Sequence, residues 1–96
     1  MLTFKEIINV INAHESELQK FGVKKIGIFG SFVRGDATND SDIDFLVELE
    51  HKTFDNYMDL KFYLEDLFDR KIDLILSDTL KPRLRSSIEK EVVYAS

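Results

Sequence analysis

Three aspartates and one glycine-serine turn hold most of the chemistry open to this sequence. Asp42 and Asp44 stand two apart at the head of the apolar run Phe45-Leu46-Val47. On a strand that spacing projects both side chains from one face, so two carboxylates share one site. Like charges held so close raise each other's pKa and destabilise the site unless a cation neutralises them, and hard oxygen ligands favour Mg²⁺ or Mn²⁺. A lone pair of this kind is also what a solvated strand edge would carry. A third acid, Asp73, weighs against that: it sits within Lys71-Ile72-Asp73-Leu74-Ile75-Leu76, a strand whose apolar members call for burial. An acid there needs a partner. A salt bridge to Lys71 or Arg70 is one solution. The other is convergence of three acids on two metal ions, which aligns an attacking and a leaving oxygen in phosphoryl chemistry.

Upstream, the strand-like run Ile26-Gly27-Ile28-Phe29 ends at Gly30, where a residue without Cβ lets backbone approach a ligand closely. Ser31 then opens a short helical turn, whose unpaired N–H groups can seat a phosphate. Taken alone, glycine and serine after a strand more often make an ordinary turn; the neighbouring acids carry the phosphate reading. Arg34 follows Ser31 by three residues and shares its face of that turn. Its guanidinium has two readings of equal weight: a two-pronged grip on phosphate oxygens, or an ion pair with Asp36 or Asp42 that fixes the loop. Asp36 and Asp40 are expected in solvent, with Ser41 holding the turn before Asp42.

Other uses of paired aspartates fail on the same letters. A calcium loop beginning at Asp40 would need glycine at its sixth position and glutamate at its twelfth, where the chain has Phe45 and His51. A dehalogenase-type phosphatase places its acids after an apolar strand, whereas these precede one. A Walker-type loop is excluded too, because no Gly-Lys-Ser/Thr follows the glycine.

Gly30-Ser31, ten residues, then Asp42-Ile43-Asp44, with Arg34-Gly35 inside the loop and Asp73 as third acid, resembles the DNA-polymerase-beta-like nucleotidyltransferases, specifically their minimal members. The resemblance covers nearly the whole chain. It implies that Gly30 and Ser31 hold a triphosphate, that Asp42 and Asp44 ligate two Mg²⁺ ions, and that Asp73 completes one metal site and activates an acceptor hydroxyl. Stand-alone minimal members resemble the antitoxin half of two-gene modules whose other product is a HEPN-domain ribonuclease toxin. In that family AMP passes from ATP to a tyrosine of the toxin and silences it. Two further readings stand beside this one: a non-catalytic module that neutralises its partner by docking, and a small-molecule nucleotidyltransferase working with a helical partner subunit.

Around these residues the sequence must supply a scaffold. Its 96 residues are expected to form a single domain with little room for a separate acceptor-binding module. A net charge of -5 makes a nucleic acid an unlikely direct acceptor. Absence of cysteine excludes disulfides and thiol catalysis. No apolar run approaches a membrane span and the amino terminus does not read as a secretory signal, so a cytoplasmic location is expected. Thr3 and Glu6 read as a capping box opening a helix that runs to about Lys20, with His14 packed or exposed rather than ligating. Lys24 to Phe29 should form the first strand. Phe54 to Phe68 reads as a helix apolar on two sides: Tyr57, Leu60, Leu64, Leu67 and Phe68 on one, Phe54, Met58 and Phe62 on the other. Core packing of both sides is expected, with a second subunit on the Met58 and Phe62 side as the alternative. Pro82 suits the first turn of a closing helix with Leu84 and Ile88 inward, while Val92 to Tyr94 fits helix or strand. Lys81, Arg83 and Arg85 read as a charge-balanced surface, with a phosphate contact as the alternative. The fold expected is α/β: a small mixed sheet of three or four strands with helices mainly on one face, the polymerase-beta-like nucleotidyltransferase architecture.

Overall fold

The computed structural model describes residues 1–95. Helix α1, Phe4–Ala13, begins at the expected capping box: the Glu6 N–H donates to Thr3 Oγ1 (3.2 Å) and the Thr3 N–H donates to Glu6 Oε1 (3.1 Å). The single helix expected to reach Lys20 is instead broken at His14, and α2, Glu15–Lys20, starts there. The His14 ring sits edge-on to Tyr63, with Nδ1 at 2.8 Å from the Val10 carbonyl, and Leu18 of α2 is buried in the core. This histidine packs against Tyr63, one of the two placements expected for it.

Strand β1, Val23–Phe29, leads through the one-turn helix α3, Ser31–Arg34, and a polar loop into β2, Ile43–Leu49. Helix α4, Phe54–Phe68, then carries the chain back to β3, Ile72–Leu76. A short 3₁₀ turn, Ser77–Thr79, precedes α5, Pro82–Glu91, and Val93–Tyr94 form β4. The sheet order is β3-β2-β1-β4; β2 and β3 run parallel, the other pairs antiparallel. This is the mixed four-stranded α/β fold expected. The α4 crossover accounts for the parallel pair, since parallel neighbours cannot be joined by a tight turn.

Alternation along the strands divides the sheet. Ile26, Ile28, Ile43, Phe45, Val47, Leu49, Ile72 and Leu74 meet Ile7, Ile11, Leu18, Phe32, Leu60 and Leu64 in one core, so four of the five helices lie on one face. On the other face Leu46 lines a cleft of about 280 Å³ together with Arg85 and Glu89 of α5. Gly27 also belongs to that face. A Cβ there would fall 2.7 Å from a Val92 methyl and 2.8 Å from the Tyr94 ring, so glycine admits the carboxy-terminal arm.

Two packing expectations are corrected. Phe54 and Phe62 are 75% and 54% exposed, because the core contact of α4 is already filled by Leu60 and Leu64 with Tyr57 and Phe68 beside them. Leu84 points outward at 47% exposure, while Ile88 is half-buried. Tyr57 and the α4 start are tied down: the Tyr57 hydroxyl donates to the Leu74 carbonyl (2.5 Å), and Asn56 Nδ2 donates to the carbonyls of Phe21 (2.7 Å) and His51 (2.9 Å).

Candidate active site

The parallel pairing of β2 with β3 places Asp44 directly opposite Asp73. Asp44 follows Ile43, whose side chain is fully buried, so alternation turns its own carboxyl to the opposite face. There it stands beside Asp73, near enough for the charge of one carboxyl to act on the other. Burial, then the charges of Asp73 and Asp42, push Asp44 up to about 6, against a smaller lowering by Arg34. Asp73 itself is exposed on the edge strand, and Asp42, half-buried, ends the loop just before β2.

The glycine turn lies against this pair. Gly30 has φ +81° and ψ -151°, a conformation closed to ordinary side chains, and a Cβ there would run into Asp44 Oδ2. Only glycine lets the backbone pass so close to that carboxylate. Its carbonyl accepts the Val33 and Arg34 N–H groups (3.0 Å each), which winds α3 immediately after the turn and leaves Ser31 at its first position. Arg34, at the end of α3, donates to Glu91 Oε1 (3.0 Å) and to Asp36 Oδ2 (3.4 Å). Of the two readings of Arg34, the loop ion pair is formed here, with Asp36. Ser41 Oγ accepts the Thr38 N–H (2.8 Å), closing the turn ahead of Asp42 as expected.

Two site residues escaped sequence reasoning. Arg70, considered there only as a partner for Asp73, instead donates to the carbonyls of Ser41 (2.9 Å) and Thr38 (3.4 Å) and lies over the Phe32 ring at 5.4 Å. It straps the loop before Asp42 to α3. Glu91 accepts the Gly30 N–H at 2.7 Å through the same oxygen that holds Arg34. Sixty-one positions separate Glu91 from Gly30, and no local pattern signals a contact of that range.

The donor set is all carboxylate oxygen, which suits Mg²⁺ or Mn²⁺, and the raised pKa of Asp44 marks negative charge that a cation would relieve. Asp44 stands opposite Asp73 across the strand pair, and the charges of both Asp73 and Asp42 act on it. Among the described residues no three such groups are gathered into a finished metal cage. In their chemistry Asp42, Asp44 and Asp73 fit a divalent cation, which they would hold through carboxylate oxygens.

Residues 11–95 match the family described as the nucleotidyltransferase domain. The chain belongs to that family. A Thermococcus cleftensis relative named protein adenylyltransferase MntA is 43% identical over 96 residues, covering 98% of this chain and 97% of its own. A solved structure provisionally assigned as a minimal nucleotidyltransferase superposes with a TM-score of 0.82 at 31% identity, over 96% of this chain and 95% of the other. The nucleotidyltransferase also shares its fold with more distant chains. One, from a toxin–antitoxin crystal structure with AMP-PNP, gives a TM-score of 0.71 at 20% identity over 99% of this chain and 73% of that one. Another, from a complex of tri-AMPylated Shewanella oneidensis HEPN toxin with MNT antitoxin, gives 0.60 at 17% identity over 88% and 71%. No described helix of the nucleotidyltransferase is long and apolar enough to cross a membrane.

Proposed function

We propose that this nucleotidyltransferase transfers AMP from ATP to a tyrosine of a HEPN-type ribonuclease toxin and so neutralises it, as a single-domain antitoxin. The observation that carries the reading is the close approach of the Gly30 backbone to Asp44, which stands opposite Asp73; the reading assigns phosphate binding to the turn and metal binding to the acids. The relative named protein adenylyltransferase, aligned over nearly its full length, supports protein as the acceptor class. The complex of a HEPN toxin with an MNT antitoxin of the same fold supports the partner.

In the proposed reaction the acceptor oxygen bonds to the α-phosphorus, the bond to the β-phosphate oxygen breaks, and pyrophosphate departs. Gly30, Ser31 and Arg34 hold the phosphates in line. Asp73, exposed on β3, lies where an acceptor hydroxyl can reach it and takes the proton. Two Mg²⁺ ions held by Asp42, Asp44 and Asp73 would neutralise the triphosphate and lower the pKa of the attacking hydroxyl.

The test is incubation of the protein and its partner with ATP labelled at the α-phosphate, with and without Mg²⁺, followed by intact-mass analysis of both chains. Metal-dependent AMP-sized steps on the partner, mapped to tyrosine, are expected. A docking-only antitoxin is favoured by one observation, the exposure of Phe54 and Phe62. A stable complex with no label on either chain would establish docking and remove the catalytic reading.

A further inference from the structure

One oxygen, Glu91 Oε1, accepts both the Gly30 N–H at 2.7 Å and the Arg34 guanidinium at 3.0 Å. These are two of the donors to which the nucleotidyl-transfer reading assigns the phosphates, and this inference rests on that assignment. A carboxylate oxygen and a phosphate oxygen make the same demands: one negative charge, short charge-assisted bonds, and an approach along the N–H vector. Both cannot occupy the position together. We propose that Glu91 is a built-in competitor for the phosphate seat, which the triphosphate must displace before the substrate can settle.

The surroundings suit a removable occupant. Glu91 is the last residue of α5, a helix with no buried residue, and is held from behind by the two-residue strand β4. Among the described residues β4 pairs with Gly27 and Ile28 alone, and the Ala95 N–H adds one bond to the Ile26 carbonyl. The arm settles closely because Gly27 lacks a side chain, which fixes where Glu91 reaches. Arg34 and Glu91 keep 54% and 26% of their side-chain surface, so solvent screens the pair and exchange for a more highly charged anion is feasible. Apparent affinity falls by the fraction of molecules whose seat is free. A carboxylate present in about nine molecules of ten would weaken triphosphate binding about tenfold.

The experiment is calorimetric titration of the full chain with ATP and Mg²⁺, with inorganic tripolyphosphate, and with adenosine, for the unmutated protein, Glu91→Gln and Glu91→Ala. Both variants should bind ATP and tripolyphosphate about five- to tenfold more tightly, with adenosine unaffected because it does not use the seat. In the Arg34→Ala background the gain should shrink. Unchanged or weaker ATP binding in both folded variants, while the unmutated protein binds ATP, removes the competitor and leaves the nucleotidyl-transfer reading standing. Failure of every form to bind ATP removes both. Should the variants not fold, the carboxyl carbon resonance of Glu91 in the unmutated protein decides: saturating tripolyphosphate should shift it, and an unmoved signal overturns the inference.

Discussion

Asp44 concentrates the conflict between stability and function at this site. Its native carboxyl keeps a proton to about 6, through burial first and then the charges of Asp73 and Asp42, whereas the ordinary value is 3.8. Between those values the native state binds more protons than the unfolded chain, so the stability this group contributes is lost as pH rises through 6. In chelator-treated buffer, Asp44→Asn should therefore raise the melting temperature at about pH 7.5 and lose that advantage by about pH 4. Equal gains at both pH values in thermal melts would rule out the linkage. The same variant should cut AMP transfer at least about a hundredfold, measured with labelled ATP, since an amide offers a cation no charge. Gly30→Ala is expected to lose both properties: its positive φ and the collision with Asp44 Oδ2 together should cost about 1–3 kcal/mol in denaturant unfolding.

At the scale of elements, the loop from Gly35 to Asp42 delivers a site residue while having no secondary structure to hold it. Arg70 supplies the hold, through two carbonyls of that loop and the ring of Phe32 on α3. Arg70→Ala should lower kcat about tenfold with KM for ATP little changed, because a strayed Asp42 affects the reacting geometry more than nucleotide capture. Arg70→Lys should rescue only in part, as one ammonium cannot span both carbonyls and the ring. A pure rise in KM would contradict this. Helix α4 presents the opposite case: Leu60 and Leu64 anchor it, so Phe62 contributes nothing to the core. Phe62→Asp should leave the melting point within a few degrees, about 0.5 kcal/mol, yet weaken partner binding. Unaltered complex formation in size-exclusion chromatography would clear that face of a docking role.

For the whole molecule, one core carries the sheet and the site rides on its opposite face. Phe45 is fully buried next to Asp44, so Phe45→Ala should cost about 3–5 kcal/mol in denaturant unfolding, while the exposed Leu84→Ala should stay within about 0.5. Comparable losses at the two positions would mean that the core is drawn wrongly. The letters alone determined a good deal: the capping box of α1, the α/β alternation, the strand that begins beside Asp42 and carries Asp44, and the glycine turn all rest on local periodicity and turn chemistry, which neighbours in sequence dictate. They could not determine that Asp73 falls opposite Asp44, because register between strands separated by a helix is chosen by which faces bury. Nor could they place Phe54, Phe62 and Leu84 outside, since an apolar residue is buried only where a partner surface exists to cover it. Arg70 over the Asp42 loop and Glu91 at the Gly30 turn belong wholly to the tertiary structure: each is a long side chain meeting backbone groups dozens of residues away, at a distance that only the assembled fold makes short.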